Sequence, residues 1–121
     1  MRSISLDIET YSSTDLKKAG VYRYCESDDF EILLLGYAID GGEITVLDLA
    51  GGDDLPVWLI KDLISPDVIK WAFNAQFERI CLSMWLKKQG LVEKDATYLN
   101  PSSWRCRSEE HTSELQSRHN L

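Results

Sequence analysis

The segment Ser3-Ile4-Ser5-Leu6-Asp7-Ile8-Glu9 constrains this chain more than any other stretch, because it alternates strictly. Apolar side chains at 4, 6 and 8 with polar ones between them have a period of two, the period of a β-strand. Such a strand carries Ile4, Leu6 and Ile8 on one face and both Asp7 and Glu9 on the other. Residues two apart stand ~7 Å apart along a strand. Two like charges held on one face repel, and a divalent cation between them relieves the repulsion. Taken alone, the simpler account is a half-exposed strand whose polar side meets water.

The remaining pattern alternates strands with helices. Residues 10–29 are mostly polar, with a short helix near 15–19 stopped by Gly20. The apolar run 31–39 fits a buried strand, and Asp40-Gly41-Gly42 is a tight-turn signal because glycine accepts positive φ. Residues 43–49 then return as a second hairpin strand. A helix is expected over 55–64, with Pro56 in its first turn. A fourth strand follows over 68–73, and a helix over 76–89 with Gly90 as its C-cap. The expected order is β-β-β-α-β-α around a mixed sheet, in an α/β domain of residues 1–106. No internal repeat or linker interrupts it.

Composition narrows the function classes. The chain has 121 residues, room for one small domain, with 44% hydrophobic and 27% charged residues, a globular balance. No apolar stretch is long enough to span a membrane. Acids at 7 and 9 interrupt any leader-like apolar run, so a cytoplasmic protein is expected. Three cysteines without a CxxC pair fit reduced thiols better than a disulfide framework. The net charge of −7 gives no general attraction to nucleic acid, so chemistry on phosphates would need bridging cations. There is no glycine-rich phosphate loop, no HExxH and no Ser/His/Asp arrangement. Both histidines lie beyond Arg107, which excludes histidine catalysis from the domain.

Glu78 is the third informative acid. At 100° per residue, Phe77, Ile80, Cys81, Met84 and Trp85 cluster on one side of the last helix. Glu78 falls between Trp85 and Leu82, at the margin of that apolar side. A carboxylate there is unfavourable unless it is paired or metal-bound. The alternative is an acid that reaches out to water or to a nearby lysine. Asn74 stands at the strand–helix junction, where it can serve as an N-cap or touch a substrate. Thr10 and Tyr11 directly follow the acidic pair, in a turn or against a ligand. Lys17, Lys18 and Arg23 form a loose basic patch, by default a solvated face.

Together these residues resemble a known family. Leu6-Asp7-Ile8-Glu9-Thr10 is similar to the first motif of the DEDD 3′–5′ exonucleases, the proofreading domains of DNA polymerases, which have a ribonuclease H-like fold. Asn74-Ala75-Gln76-Phe77-Glu78 is similar to their second motif. The longer stretches Gly20-Val21-Tyr22-Arg23-Tyr24, Phe30-Glu31-Ile32-Leu33-Leu34 and Trp71-Ala72-Phe73 resemble the N-terminal exonuclease region of phage-type family A DNA polymerases. The resemblance covers about residues 3–106. It implies two Mg²⁺ or Mn²⁺ ions among the carboxylates, one activating water and the other stabilising the leaving oxygen. It implies that Asp7 bridges both ions and that Glu9 holds the ion nearer the attacking water. Glu78 stands where the family has Asp, so an indirect, water-mediated contact is implied. Thr10, Tyr11, Asn74 and Phe77 become substrate-binding candidates. The implied partner is a single-stranded DNA 3′ end, on a monomer fused to a polymerase domain.

The family's third motif, a Tyr or His four residues before a final Asp, has no counterpart after Cys106. A C-terminally truncated domain is therefore expected, lacking a last strand and part of its helical cover, with little activity of its own. Residues 107–117, Arg-Ser-Glu-Glu-His-Thr-Ser-Glu-Leu-Gln-Ser, resemble a translated sequencing adaptor, so 107–121 is expected to be a non-native, disordered tail. Two rival functions stand beside the DNA exonuclease: an RNA 3′-end exonuclease of the same superfamily, and a non-catalytic nucleic-acid-binding module of the same fold.

Overall fold

The structure, a computed structural model, describes residues 2–93 and 99–107. Its first strand is β1 (Ser3–Tyr11), followed by the short helices α1 (Leu16–Ala19) and α2 (Val21–Glu26). The hairpin β2 (Glu31–Ile39) and β3 (Thr45–Asp48) leads to α3 (Val57–Ile64), β4 (Ile69–Ala72) and α4 (Ala75–Lys88). A 3-10 turn (Pro101–Ser103) then enters β5 (Trp104–Cys106). The five strands form one mixed sheet in the order β3-β2-β1-β4-β5. The β1–β2 and β2–β3 pairs are antiparallel, and β1–β4 and β4–β5 are parallel. The acid-bearing strand is thus central.

Local chemistry sets these boundaries. The Asp15 carboxylate accepts the N–H groups of Lys17 and Lys18 and caps α1. Gly20, at φ 89°, ends α1 and starts α2, a backbone that side chains other than glycine adopt only under strain. The hairpin turn puts Asp40 at φ 49° and Gly41 at φ 77°, the two successive positive values of a tight two-residue turn. Pro56 precedes the first turn of α3.

The core lies on one face of the sheet. Ile4, Leu6 and Ile8 of β1 join Leu35 of β2, Ala72 of β4, Leu59 and Leu63 of α3, and Ile80, Leu82 and Leu86 of α4. The hydrogen-bonding register slips between Glu9 and Thr10, where Glu9 faces Leu34 but Thr10 faces Ile32. Leu33 is the extra residue of this β-bulge. The bulge lets Ile32 and Leu35, three residues apart, both point into the core. Cys25 and Cys81 are buried there as free thiols, with Cys25 donating to Cys81 across 3.2 Å.

The expected order β-β-β-α-β-α needs correcting. Helix α2 was not expected, and the sheet does not lack its outer strand: β5 pairs with β4. Tertiary contacts made by α4 bring β5 into place. Ser83 accepts the backbone N–H of Leu99 at 2.8 Å, and Arg79 donates to the Leu99 carbonyl at 3.0 Å. A three-residue strand behind a proline turn shows no periodicity of its own. Among the described residues, no helix is long and apolar enough to cross a membrane. The expected tail lies outside the described residues except for Arg107, whose guanidinium sits 5.6 Å above the Trp71 ring.

Candidate functional site

The face of β1 opposite the core carries Ser5, Asp7 and Glu9. It stays open: Phe73 is 64% exposed, Val46 58% and Ile44 75%. Together they line a shallow cleft of about 440 Å³ with Leu34 and Gly36. Gly36 stands directly across the ladder from Asp7. With hydrogen in place of a side chain there, the cleft reaches the acid-bearing strand.

The parallel pairing of β1 with β4 ends at Leu6 and Ala72. The chain then turns at Phe73 and Asn74 into α4, so the first turn of that helix follows directly on the end of β4, the strand next to β1. Asn74 caps the helix, its side-chain oxygen accepting the Phe77 N–H at 3.4 Å. The cap places Glu78 in the first helical turn, with its N–H bonded to the Asn74 carbonyl at 3.1 Å. Leu82 and Trp85, its neighbours on the helical wheel, are buried beside it.

Glu78 is 5% exposed, and its Oε1 has no hydrogen-bond partner. Burial pushes its carboxyl up to about 8, and the nearby negative charge of Asp7 adds to the rise. Bonds from its own backbone N–H and from Asn74 oppose the shift without cancelling it. An acid from α4 and an acid from β1 therefore lie within one another's field. Glu9 lines the open cleft with Asp7.

Among the described residues, no three His, Cys, Asp or Glu side chains stand close enough together to form a ready-made metal cluster. Mg²⁺ needs less than that, because it keeps several waters and takes one or two carboxylates plus substrate phosphates. Glu78 is not among the residues lining the cleft with Asp7 and Glu9, but its unpartnered Oε1 lies within the field of Asp7, and a cation held there would displace the proton that burial keeps on this carboxyl.

The substrate-binding candidates occupy different settings. Thr10 is engaged internally, its hydroxyl 2.8 Å from that of Tyr24. Tyr11 is half exposed at the end of β1. Asn74 is the helix cap, and Phe77 is partly buried against the core. Lys17, Lys18 and Arg23 are exposed on α1 and α2. The exposed Phe73 was not singled out from the sequence. Its signal was available, since residues 71 and 73 share a face when 72 points to the core. Lys70 was also missed. It is fully buried, donates to the carbonyls of Asp62 and Ser65, and burial pushes its ammonium down to about 8.

No family model matches the chain. Over 106 residues, 88% of its length, it is 49% identical to a DNA polymerase of Bacillus phage SP02. This chain is homologous to a segment of that polymerase. The match spans 15% of the phage protein's length. A solved structure of the family B DNA polymerase from the hyperthermophilic archaeon Pyrobaculum calidifontis aligns with a TM-score of 0.46 and 22% identity, over 74% of this chain and 11% of that one.

Proposed function

We propose that this chain is the 3′–5′ exonuclease segment of a phage-type family A DNA polymerase, with a ribonuclease H-like fold, acting on the 3′ end of single-stranded DNA. One observation carries the reading. A buried carboxylate with an unpartnered oxygen, Glu78 at a strand–helix junction, lies in the field of Asp7 on the central strand. The 49% identity to a phage DNA polymerase supports a polymerase-associated domain. The five-stranded mixed sheet with its acids on the central strand supports the fold assignment.

In this reading Asp7, Glu9 and Glu78 would hold two divalent cations, which when bound polarise the phosphodiester and lower the pKa of the attacking water. Asp7 supplies an exposed carboxyl group at the cleft. Glu78, whose carboxyl burial raises to about 8, would give up its proton on holding a cation. Glu9 stands on the open side, able to orient a water. Phe73, exposed beside the cleft, offers a ring on which a terminal base can stack.

The polymerase family's final Tyr or His and Asp have no counterpart in this sequence, so the chain alone should cleave poorly. The test replaces the matching segment of the phage polymerase with residues 1–106 and supplies Mn²⁺ and a labelled single strand. Stepwise release from the 3′ end, lost with Asp7→Asn, is the expected result. Release unaffected by Asp7→Asn overturns the assignment. Cleavage of matched RNA in place of DNA points to an RNA 3′-end exonuclease, and binding without cleavage to a nucleic-acid-binding module.

A further inference from the structure

Beyond Leu6, β1 has lost its β4 partner and is paired on one side only, with β2. Even that ladder is disturbed by the bulge between Glu9 and Thr10. The half of the strand that bears both acids is therefore the part that backbone hydrogen bonds hold least. Its distance from Glu78 must be fixed by something else.

We infer that Tyr24 is a positioning residue that sets the spacing between the acids of β1 and Glu78 of α4; the inference rests on the metal-site reading above. The Tyr24 hydroxyl lies 2.8 Å from that of Thr10, the residue after Glu9. Its ring meets Phe77, the residue before Glu78, at 6.0 Å between centroids and 49° between planes. On another side the ring makes an edge contact with Phe30 at 5.9 Å. The next residue, Cys25, is fully buried against Cys81, one helical turn beyond Glu78, which anchors α2 to α4. Helices α2 and α4 thus behave as one unit, and the Tyr24 hydroxyl links that unit to the loosely held end of β1. Neither Tyr24 nor Thr10 needs to touch a cation for the link to matter.

The test titrates Mn²⁺ alone into the 121-residue chain and follows affinity and the electron paramagnetic resonance line shape, beside thermal melts. Wild type should bind Mn²⁺ and Asp7→Asn should not; equal binding by the two defeats the metal-site reading and this inference with it. Given that difference, Tyr24→Phe should weaken Mn²⁺ binding about two- to ten-fold, the worth of one hydrogen bond. Thr10→Val removes the same bond from its other end and should produce the same loss, with no further loss in the double variant. It also carries the test if Tyr24→Phe fails to fold. Phe30→Leu disturbs ring packing and leaves the hydroxyl pair, so it should lower the melting temperature with unchanged Mn²⁺ affinity and line shape. Wild-type affinity in Tyr24→Phe, additive losses in the double variant, or a Phe30→Leu loss equal to that of Tyr24→Phe would each overturn the positioning role.

Discussion

Asp7, exposed on the central strand, raises the pKa of Glu78, buried in the first turn of the last long helix. The effect runs between two residues that are 71 positions apart and belong to different elements, and it gives the site a measurable electrostatic signature. Replacing Asp7 with Asn should lower the Glu78 pKa from about 8 while leaving it above the ordinary carboxylate range, because burial is the larger cause. Carboxyl-carbon NMR titration of Glu78 reads this directly. An unchanged value would place the two acids out of each other's reach.

Stability should depend on pH through the same carboxyl. Glu78 titrates at about 8 when folded, against 4.5 for the same group in water. Between these values the unfolded chain ionises first, so the folded state loses stability as pH rises through that window. Below it, the full contribution is present; above about pH 8, it is gone. Glu78→Gln should remove this dependence and be more stable than wild type at about pH 8 to 9 in metal-free buffer. Melting temperatures of both proteins from about pH 4 to 9 make the comparison, and parallel curves would contradict it.

Lys70 should act with the opposite sign. Its ammonium is pushed down to about 8 in the fold from 10.5, so above pH 8 the unfolded chain holds the extra proton and stability rises with pH. That contribution is complete above 10.5 and lost as pH falls through 8. Lys70→Met should flatten the alkaline rise in denaturant midpoints measured between pH 8 and 10.5.

Removing the cap of α4 should loosen the helix that carries Glu78. Asn74→Ala loses the side-chain acceptor for the Phe77 N–H and should cost roughly 1 kcal/mol, as N-cap deletions do. Hydrogen exchange should speed up first at the amides of residues 75–78. A loss spread evenly over the sheet would mean that Asn74 acts elsewhere.

Phe73 should matter to nucleic acid and little to folding. At 64% exposure, its replacement by Ala should change stability by no more than about 0.5 kcal/mol. If a terminal base stacks on its ring, affinity for a single-stranded DNA end should fall by about 1–3 kcal/mol, read by fluorescence anisotropy with Mn²⁺ present.

The fold was legible wherever a pattern was local. The alternation at 3–9, the apolar run at 31–39, the turn at 40–42 and the periodic helix ending near Gly90 each announce their element, and the structure puts strands, turn and helix there. Helix α2 was hidden because Val21–Glu26 is short and buries only Cys25. Strand β5 was hidden because Arg79 and Ser83 of a distant helix hold its approach. In the candidate site, the helical wheel located Glu78 at the edge of the buried side. The burial of Glu78 and the reach of Asp7 depend on how α4 meets the sheet, which no single segment encodes. Lys70 escaped notice because a lysine in a four-residue strand reads as solvent-facing until the register sets it opposite Ile4.

The bulge on β2 makes the sheet forgiving on one side and unforgiving on the other. Strand β2 already absorbs one surplus residue at Leu33 without disturbing the alternation of β1. Lengthening or shortening the chain there changes the slack in a neighbouring strand and leaves both acids where they are. The same one-residue change inside β1 has nowhere to be absorbed between Ile4 and Leu6, where the strand is paired on both sides, and it would turn Asp7 and Glu9 towards the core. In a library of single-residue insertions and deletions, viable lengths should gather around residue 33 and be absent from residues 4–6.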